Sequence, residues 1–170
     1  MVGAGLKSVH NRLFGAVSPV ATTGMESEMS EHRTVEERNR AIVQQAYELT
    51  ARDDLEALFE VRDRNYRVTL PDGFPVPGSW TGEDANAARL EIFGTLGADG
   101  IKYHEIIADG PNRVVALCEP TGLDGEGKRW SMLLAEFFWI EDGKITDIRP
   151  FWWDVVELRR VAESRKAARS

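Results

Sequence analysis

Residues 129–154 read RWSMLLAEFFWIEDGKITDIRPFWWD. Two apolar runs flank Asp142-Gly143, the dipeptide that best accommodates the positive φ angles of a tight type I′ hairpin turn. Read as a strand, the first run puts Trp130, Met132, Leu134, Glu136, Phe138 and Ile140 on one face. Ser131, Leu133, Ala135, Phe137 and Trp139 fall on the other, because side chains alternate along a strand. Both faces are apolar, so the pattern predicts a central hairpin covered on both sides. Glu136 is the misfit: burying its charged form among apolar neighbours is costly.

The preceding chain predicts helices. Thr34-Val35-Glu36-Glu37 has the spacing of a capping box, in which hydroxyl and carboxylate each satisfy a free backbone N–H. Ala41, Ile42, Ala46 and Leu49 then recur at helical spacing to Arg52. Asp53-Asp54 punctuates, and Leu55, Leu58, Phe59 and Val61 predict a second, short helix. Arg67 to Leu70 reads as a first strand, closed by Pro71-Asp72-Gly73. The segment GFPVPGSWT at 73–81 is rich in proline and glycine and predicts an irregular loop on the rim of a pocket. Gly82 to Leu96 reads as a third helix that buries Ala85, Ala88, Leu90, Ile92 and Phe93. Strands follow at Ile101–Ala108 and Arg113–Cys118, then the hairpin, then a charged helix from Val155 to Ala168. Helices grouped first and antiparallel strands later indicate the α+β class. The expected architecture is a cone-shaped roll: three N-terminal helices on a strongly curved, mainly antiparallel sheet, plus a C-terminal helix.

A chain of 170 residues suits one domain with a real core, placed at 34–170. Residues 1–33 are expected to be a flexible N-terminal tail. Lys7 and Arg12 give the first 25 residues a basic, acid-free character, and Leu6, Val9, Leu13 and Val17 recur at helical spacing. Such a start resembles an organelle transit peptide or a membrane-surface helix; the other reading is a tail upstream of a start at Met25 or Met29. The formal charge of −7 argues against nucleic acid as a partner. No apolar run reaches the length of a membrane span. Cys118, the only cysteine, reads as a buried small hydrophobe, and a reducing cytoplasm is the default compartment. His10, His32 and His104 are too scattered to suggest a metal site, and nothing calls for a nucleotide or flavin cofactor.

Several phrases carry a family resemblance: Arg40-Ala-Ile-Val-Gln-Gln-Ala-Tyr47 followed by Asp54-Leu-Glu-Ala-Leu58, Gly78-Ser-Trp-Thr-Gly82, Glu141-Asp-Gly-Lys-Ile145 and the closing Phe151-Trp-Trp-Asp154. In this order and spacing the chain, from Val35 to Val161, resembles the nuclear transport factor 2-like superfamily, which includes ketosteroid isomerases and SnoaL-type cyclases. The superfamily holds isomerases, cyclases, dehydratases, epoxide hydrolases and non-catalytic binders, so fold alone does not fix function. In ketosteroid isomerase an aspartate base moves a proton, while a tyrosine and a protonated acid stabilise the enolate oxygen. Counted back from the Gly-Lys-Ile turn, the protonated acid's position falls on Glu136. The tyrosine position falls on Ala46, with Tyr47 one residue away, and the base position on Leu70, with Asp72 two residues on. That triad is therefore not intact.

The candidate catalytic residues are Glu136, Asp154, Asp72 and Tyr47. Glu136 reads as a desolvated acid that donates a proton or hydrogen bond, or as a structural carboxylate paired with Arg149. Asp154 reads as a base at the mouth of the cone or, from Asp154-Val-Val-Glu157, as a helix N-cap. Asp72 reads as a base near a strand end or as a turn residue. Tyr66 and Tyr103 are further hydrogen-bond donors, and His104 reads as a surface histidine or a general base. Trp80, Trp130, Phe138, Trp152 and Tyr66 are the expected substrate-binding wall, implying a hydrophobic small molecule. Phe137 and Trp139, on the opposite face, imply a homodimer packed through the outer sheet.

The reading that results is an enzyme using cofactor-independent acid–base chemistry in a hydrophobic cavity. Its expected reaction is of isomerase, cyclase, dehydratase or epoxide hydrolase type, on a polyketide-, terpenoid- or steroid-like metabolite. The alternative is a non-catalytic hydrophobic-ligand-binding or dimerisation module of the same fold. A second carboxylate in the cavity discriminates between them, since an enzyme of this type needs a base within reach of the substrate proton.

Overall fold

The computed structural model describes residues 19–52 and 54–170, with side chains from Met29 onward. The amphipathic stretch at Leu6–Val17, and Asp53, lie outside the described residues. The chain divides into two compact units, Met1–Thr34 and Val35–Ser170. Helix α1 spans Pro19–Ala51. In the first unit it opens on proline, whose fixed φ suits a first helical position. Thr34 is thus not the helix start that its capping-box spacing suggests. Its hydroxyl donates to the Ser30 carbonyl at 3.0 Å, the back-bonding of a threonine inside a helix.

The second unit holds the sheet. Its part of α1 buries Asn39, Val43 and Ala46, which share one helical face. The Asn39 amide donates to the Pro111 carbonyl at 2.9 Å, and Glu36 accepts from the Gly110 N–H at 3.2 Å. Two polar contacts therefore pin α1 to one turn of the sheet. A single turn, α2 (Leu58–Val61), leads into β1 (Arg62–Leu70), which starts five residues earlier than its apolar end suggests. Then come β2 (Gly78–Thr81), α3 (Gly82–Leu96), β3 (Ala98–Asp109), β4 (Arg113–Leu123), β5 (Arg129–Ser131), β6 (Leu134–Glu141), β7 (Lys144–Trp152) and α4 (Val155–Ala167).

The strand order is β2-β1-β7-β6-β4-β3, with β5 paired to β4. Among the described residues, only β1 and β7 run parallel, and every other strand pair is antiparallel. The hairpin β6–β7 is central, as its two apolar faces require, and Asp142 and Gly143 turn it with φ of 49° and 76°. Register shifts interrupt the β1–β7, β3–β4 and β6–β7 ladders. Such bulges bend strands and increase twist, which gives this mixed α+β sheet its curvature.

Further expectations are corrected. The 73–81 segment is not wholly irregular: residues 78–81 form the edge strand β2, paired with β1 from Arg67↔Thr81 to Leu70↔Gly78, and both prolines fall before it, where no ladder N–H is needed. The long apolar run is two strands, β5 and β6, separated at Met132 and Leu133. Alternation survives the break: Trp130, Met132, Leu134, Phe138 and Ile140 are all buried. In α3, Ala85, Ala88 and Ile92 are buried as expected, whereas Leu90 is exposed, being on the helix's other side. Gly82 joins β2 to α3 at φ +56°, where a Cβ would stand 2.6 Å from the Arg64 carbonyl oxygen. No other residue type fits that junction without displacing β1.

Candidate functional site

Between α1, β1, α3 and the inner face of the sheet lies a cavity of about 530 Å³, within the size range of small-molecule sites. Its wall is mostly apolar, from Ala46, Val68, Ile92, Leu134, Phe138, Ile148 and Trp152 among others. Among the described residues, four charged side chains interrupt it: Arg62, Arg89, Asp99 and Glu136.

Glu136 points inward because it follows Leu134 and precedes Phe138 on the buried face of β6. Tyr47 reaches it from α1, its hydroxyl donating to Glu136 Oε2 at 2.6 Å. The Tyr47 ring is fixed edge-on against Phe138, centroids 5.8 Å apart, and tilted against Tyr103 at 4.5 Å. Burial pushes the Glu136 carboxyl above the ordinary glutamate range; the Tyr47 hydrogen bond and the positive charges of Arg62 and Arg89 oppose that rise without cancelling it. Burial, and then the Glu136 charge, push the Tyr47 phenol up as well. Tyr103 is pushed up to about 12, first by burial. The Tyr47 hydroxyl occupies Oε2, and the carboxyl lines the cavity. It can donate when the acid is protonated and accept a proton when it is ionised.

Arg149 is not the partner of Glu136. On β7 it lies across from Phe137, on the outer face, whereas Glu136 faces Pro150. Arg149 instead stacks over Trp139 at 4.7 Å and pairs with the buried Asp147 at 3.1 Å.

The other expected residues separate cleanly. Tyr66 lines the cavity, its hydroxyl donating to Asn86 Oδ1 at 2.7 Å, and Phe138 and Trp152 line it too. Trp80 and Trp130 do not. Trp80 packs into the hydrophobic clusters, and Trp130 is core, with its indole N–H donated to the Leu96 carbonyl at 3.0 Å. Asp154 is exposed and caps α4, accepting from the Glu157 N–H at 3.0 Å. Asp72 is exposed in its turn. Neither carboxylate lines the cavity. Asp99 does, but two hydrogen bonds of 3.1 Å from Arg129 and one from Thr121 hold its carboxyl below the usual range. His104 sits beside Glu119 at 3.0 Å, away from the cavity. Cys118 is buried and its thiol pushed up to about 12 by burial, consistent with an inert core residue.

Sequence reasoning missed Arg62, Arg89, Asn86 and Thr50. Extending β1 back from Tyr66 by the two-residue period would have put Arg62 on the Tyr66 face; the others required knowing which helix turns meet the sheet. Among the described residues, no group of three or more His, Cys, Asp or Glu is placed to hold a metal. None of the described helices is long and apolar enough to cross a membrane.

The cone with an inward acid and its tyrosine is the fold of the nuclear transport factor 2-like class. The SnoaL-like domain model matches residues 43–148, and the chain belongs to that family. No curated protein matches the chain by sequence. Among solved structures, Bal32a from a soil-derived mobile gene cassette is similar at TM-score 0.66 and 22% identity, over 75% of this chain and 98% of that one. A nuclear transport factor 2-like protein of Burkholderia xenovorans is similar at 0.63 and 24%, over 75% and 97%. TerC, co-crystallised with polyporic acid, is similar at 0.63 and 20%, over 75% and 99%.

Proposed function

We propose that the chain is a small-molecule enzyme that moves a proton to or from a hydrophobic, carbonyl- or epoxide-bearing metabolite held in the cavity. The observation that carries this reading is the 2.6 Å Tyr47–Glu136 hydrogen bond in an otherwise apolar wall. Glu136 is the proton-transferring group, and Tyr47 holds Oε2 and orients the carboxyl. Isomerisation, dehydration, aldol cyclisation and epoxide opening all use such a group in a dry cavity. The family model, and TerC having been co-crystallised with a small organic molecule, support this kind of chemistry. With Asp154 and Asp72 outside the wall, Glu136 has to serve as both acid and base, or work with a water. The test is turnover of a panel of enones, epoxides and polyketide-like ketones by wild type and Glu136→Gln. Loss of at least 100-fold in kcat with binding retained supports the enzyme, in line with about 10²–10⁴ for general acid–base catalysis.

One observation favours a second reading, a non-catalytic ligand-binding module: among the described residues, no second carboxylate free of a salt bridge lines the cavity. Tight binding of panel members with no turnover would establish it. For the outer sheet face, the proposal is a homodimer: Phe137 packs edge-on to Phe151 at 5.1 Å, and Phe151 is 58% exposed. The proposed compartment is the cytoplasm.

A further inference from the structure

Among the described residues, Arg62 is a buried cation without an ion pair. It is 6% exposed, yet among the described residues its guanidinium meets only neutral groups: the Tyr66 hydroxyl at 3.4 Å, the Thr50 hydroxyl at 3.3 Å and the face of the Tyr66 ring at 5.0 Å. Its Nε is buried and makes no hydrogen bond, and no carboxylate of the described residues lies within ion-pair distance of it. A guanidinium removed from water is costly unless something negative compensates it. Two long contacts to hydroxyls are weak compensation, since charge-assisted hydrogen bonds run nearer 2.7–2.9 Å. The nearby acid is Glu136, which burial holds toward its neutral form. Asp99 is already committed to Arg129. The same wall contains a second buried donor without a partner, the indole Nε1 of Trp152.

We propose that the cavity takes an anionic ligand, an apolar body carrying a carboxylate, sulfonate or acidic enol, whose negative group is held by Arg62. The inference rests on the cavity being a small-molecule site and names the class of molecule it selects. Guanidinium suits this task because its planar fork of donors matches an oxyanion and its charge does not titrate away. The Tyr66 ring and its hydrogen bond to Asn86 (both buried) fix the platform on which Arg62 rests. A bound anion also acts on Glu136: a negative charge nearby disfavours ionisation and pushes its carboxyl further up.

The test compares two fluorescent probes of nearly one shape, 8-anilinonaphthalene-1-sulfonate and its uncharged counterpart N-phenyl-1-naphthylamine. Both are titrated into the full-length protein, with mutual displacement used to place them in one site. Wild type is expected to bind the sulfonate at least tenfold more tightly than the neutral probe. Arg62→Met is expected to lose that tenfold preference and to keep its affinity for the neutral probe within about threefold. Equal affinity of the two probes for wild type overturns the proposal and leaves the cavity reading standing. Failure of both probes to bind overturns the cavity reading and this proposal together. Should Arg62→Met unfold by circular dichroism, the wild-type ratio still decides, and Arg62→Lys, retaining the charge, should keep a preference for the sulfonate.

Discussion

Glu136 and Tyr47 are joined by one hydrogen bond of 2.6 Å, and it is the carboxyl that titrates while the phenol stays protonated, its own proton held by burial. The Tyr47 hydroxyl stabilises the ionised carboxylate, so Tyr47→Phe should raise the Glu136 pKa further above its ordinary value. Carboxyl-carbon NMR, assigned with Glu136→Gln, reads this directly; an unchanged or lower value would mean the hydrogen bond is not made in solution. The same shift couples to stability. Between the unfolded glutamate value of about 4.3 and the raised folded value, the native state holds more proton than the unfolded chain. Stability therefore falls as pH rises through that window. Glu136→Gln should flatten this fall, seen as a smaller drop in Tm from pH 4 to pH 8. The carboxyl's position was legible from alternation alone, because a charged residue among Leu134, Phe138 and Ile140 has nowhere else to face. Its partner was not. Counting along the helix put the tyrosine position on Ala46, and only the packed structure shows that Tyr47 reaches the sheet.

Among the elements, the helix α4 and the β2–α3 junction show local chemistry deciding local structure. Asp154 accepts from the Glu157 N–H, so Asp154→Ala should cost about 1 kcal/mol, measured by urea unfolding. Ligand affinity should not change, since Asp154 is outside the cavity; a variant that loses turnover with stability intact would restore a catalytic role. Gly82→Ala should cost more than the roughly 1–2 kcal/mol of a left-handed backbone alone, because the added Cβ meets the Arg64 carbonyl. A neutral substitution there would mean that β1 and α3 can move apart. The elements themselves were mostly readable: α3, the hairpin and its Asp-Gly turn follow from spacing and turn chemistry. Short or split elements were not, because β2 and β5 exist only through pairing with β1 and β4. Their own sequences are too short to carry a period.

At the scale of the whole molecule, the sheet has one face closed by helices and another that is aromatic and partly open. Phe137 stacks with Trp139 and meets Phe151 edge-on along it, and Trp153, two residues after Phe151, is 82% exposed. The proposed homodimer predicts that wild type sediments at twice the chain mass and that Phe151→Asp shifts it toward the monomer, by desolvating a charge against an apolar partner. A wild type that sediments as a monomer at all concentrations would remove the dimer. On this face Asp147 is held by Arg149 and Arg67.

The sequence by itself determined the class of fold, the central hairpin, the inward direction of Glu136 and the burial of Cys118. Each of these follows from a local rule, a period of two or of 3.6 or the φ demanded by a turn, acting on residues close together in the chain. Tertiary structure decided which polar groups share the cavity: Tyr47 with Glu136, Arg62 with Thr50 and Tyr66, and Asp99 with Arg129. It also removed Asp154, Asp72, Trp80 and Trp130 from the wall. These pairings join positions separated by as many as 89 residues, and no periodicity carries information over that distance. Only the curvature of the sheet and the placement of α1 and α3 against it bring them together.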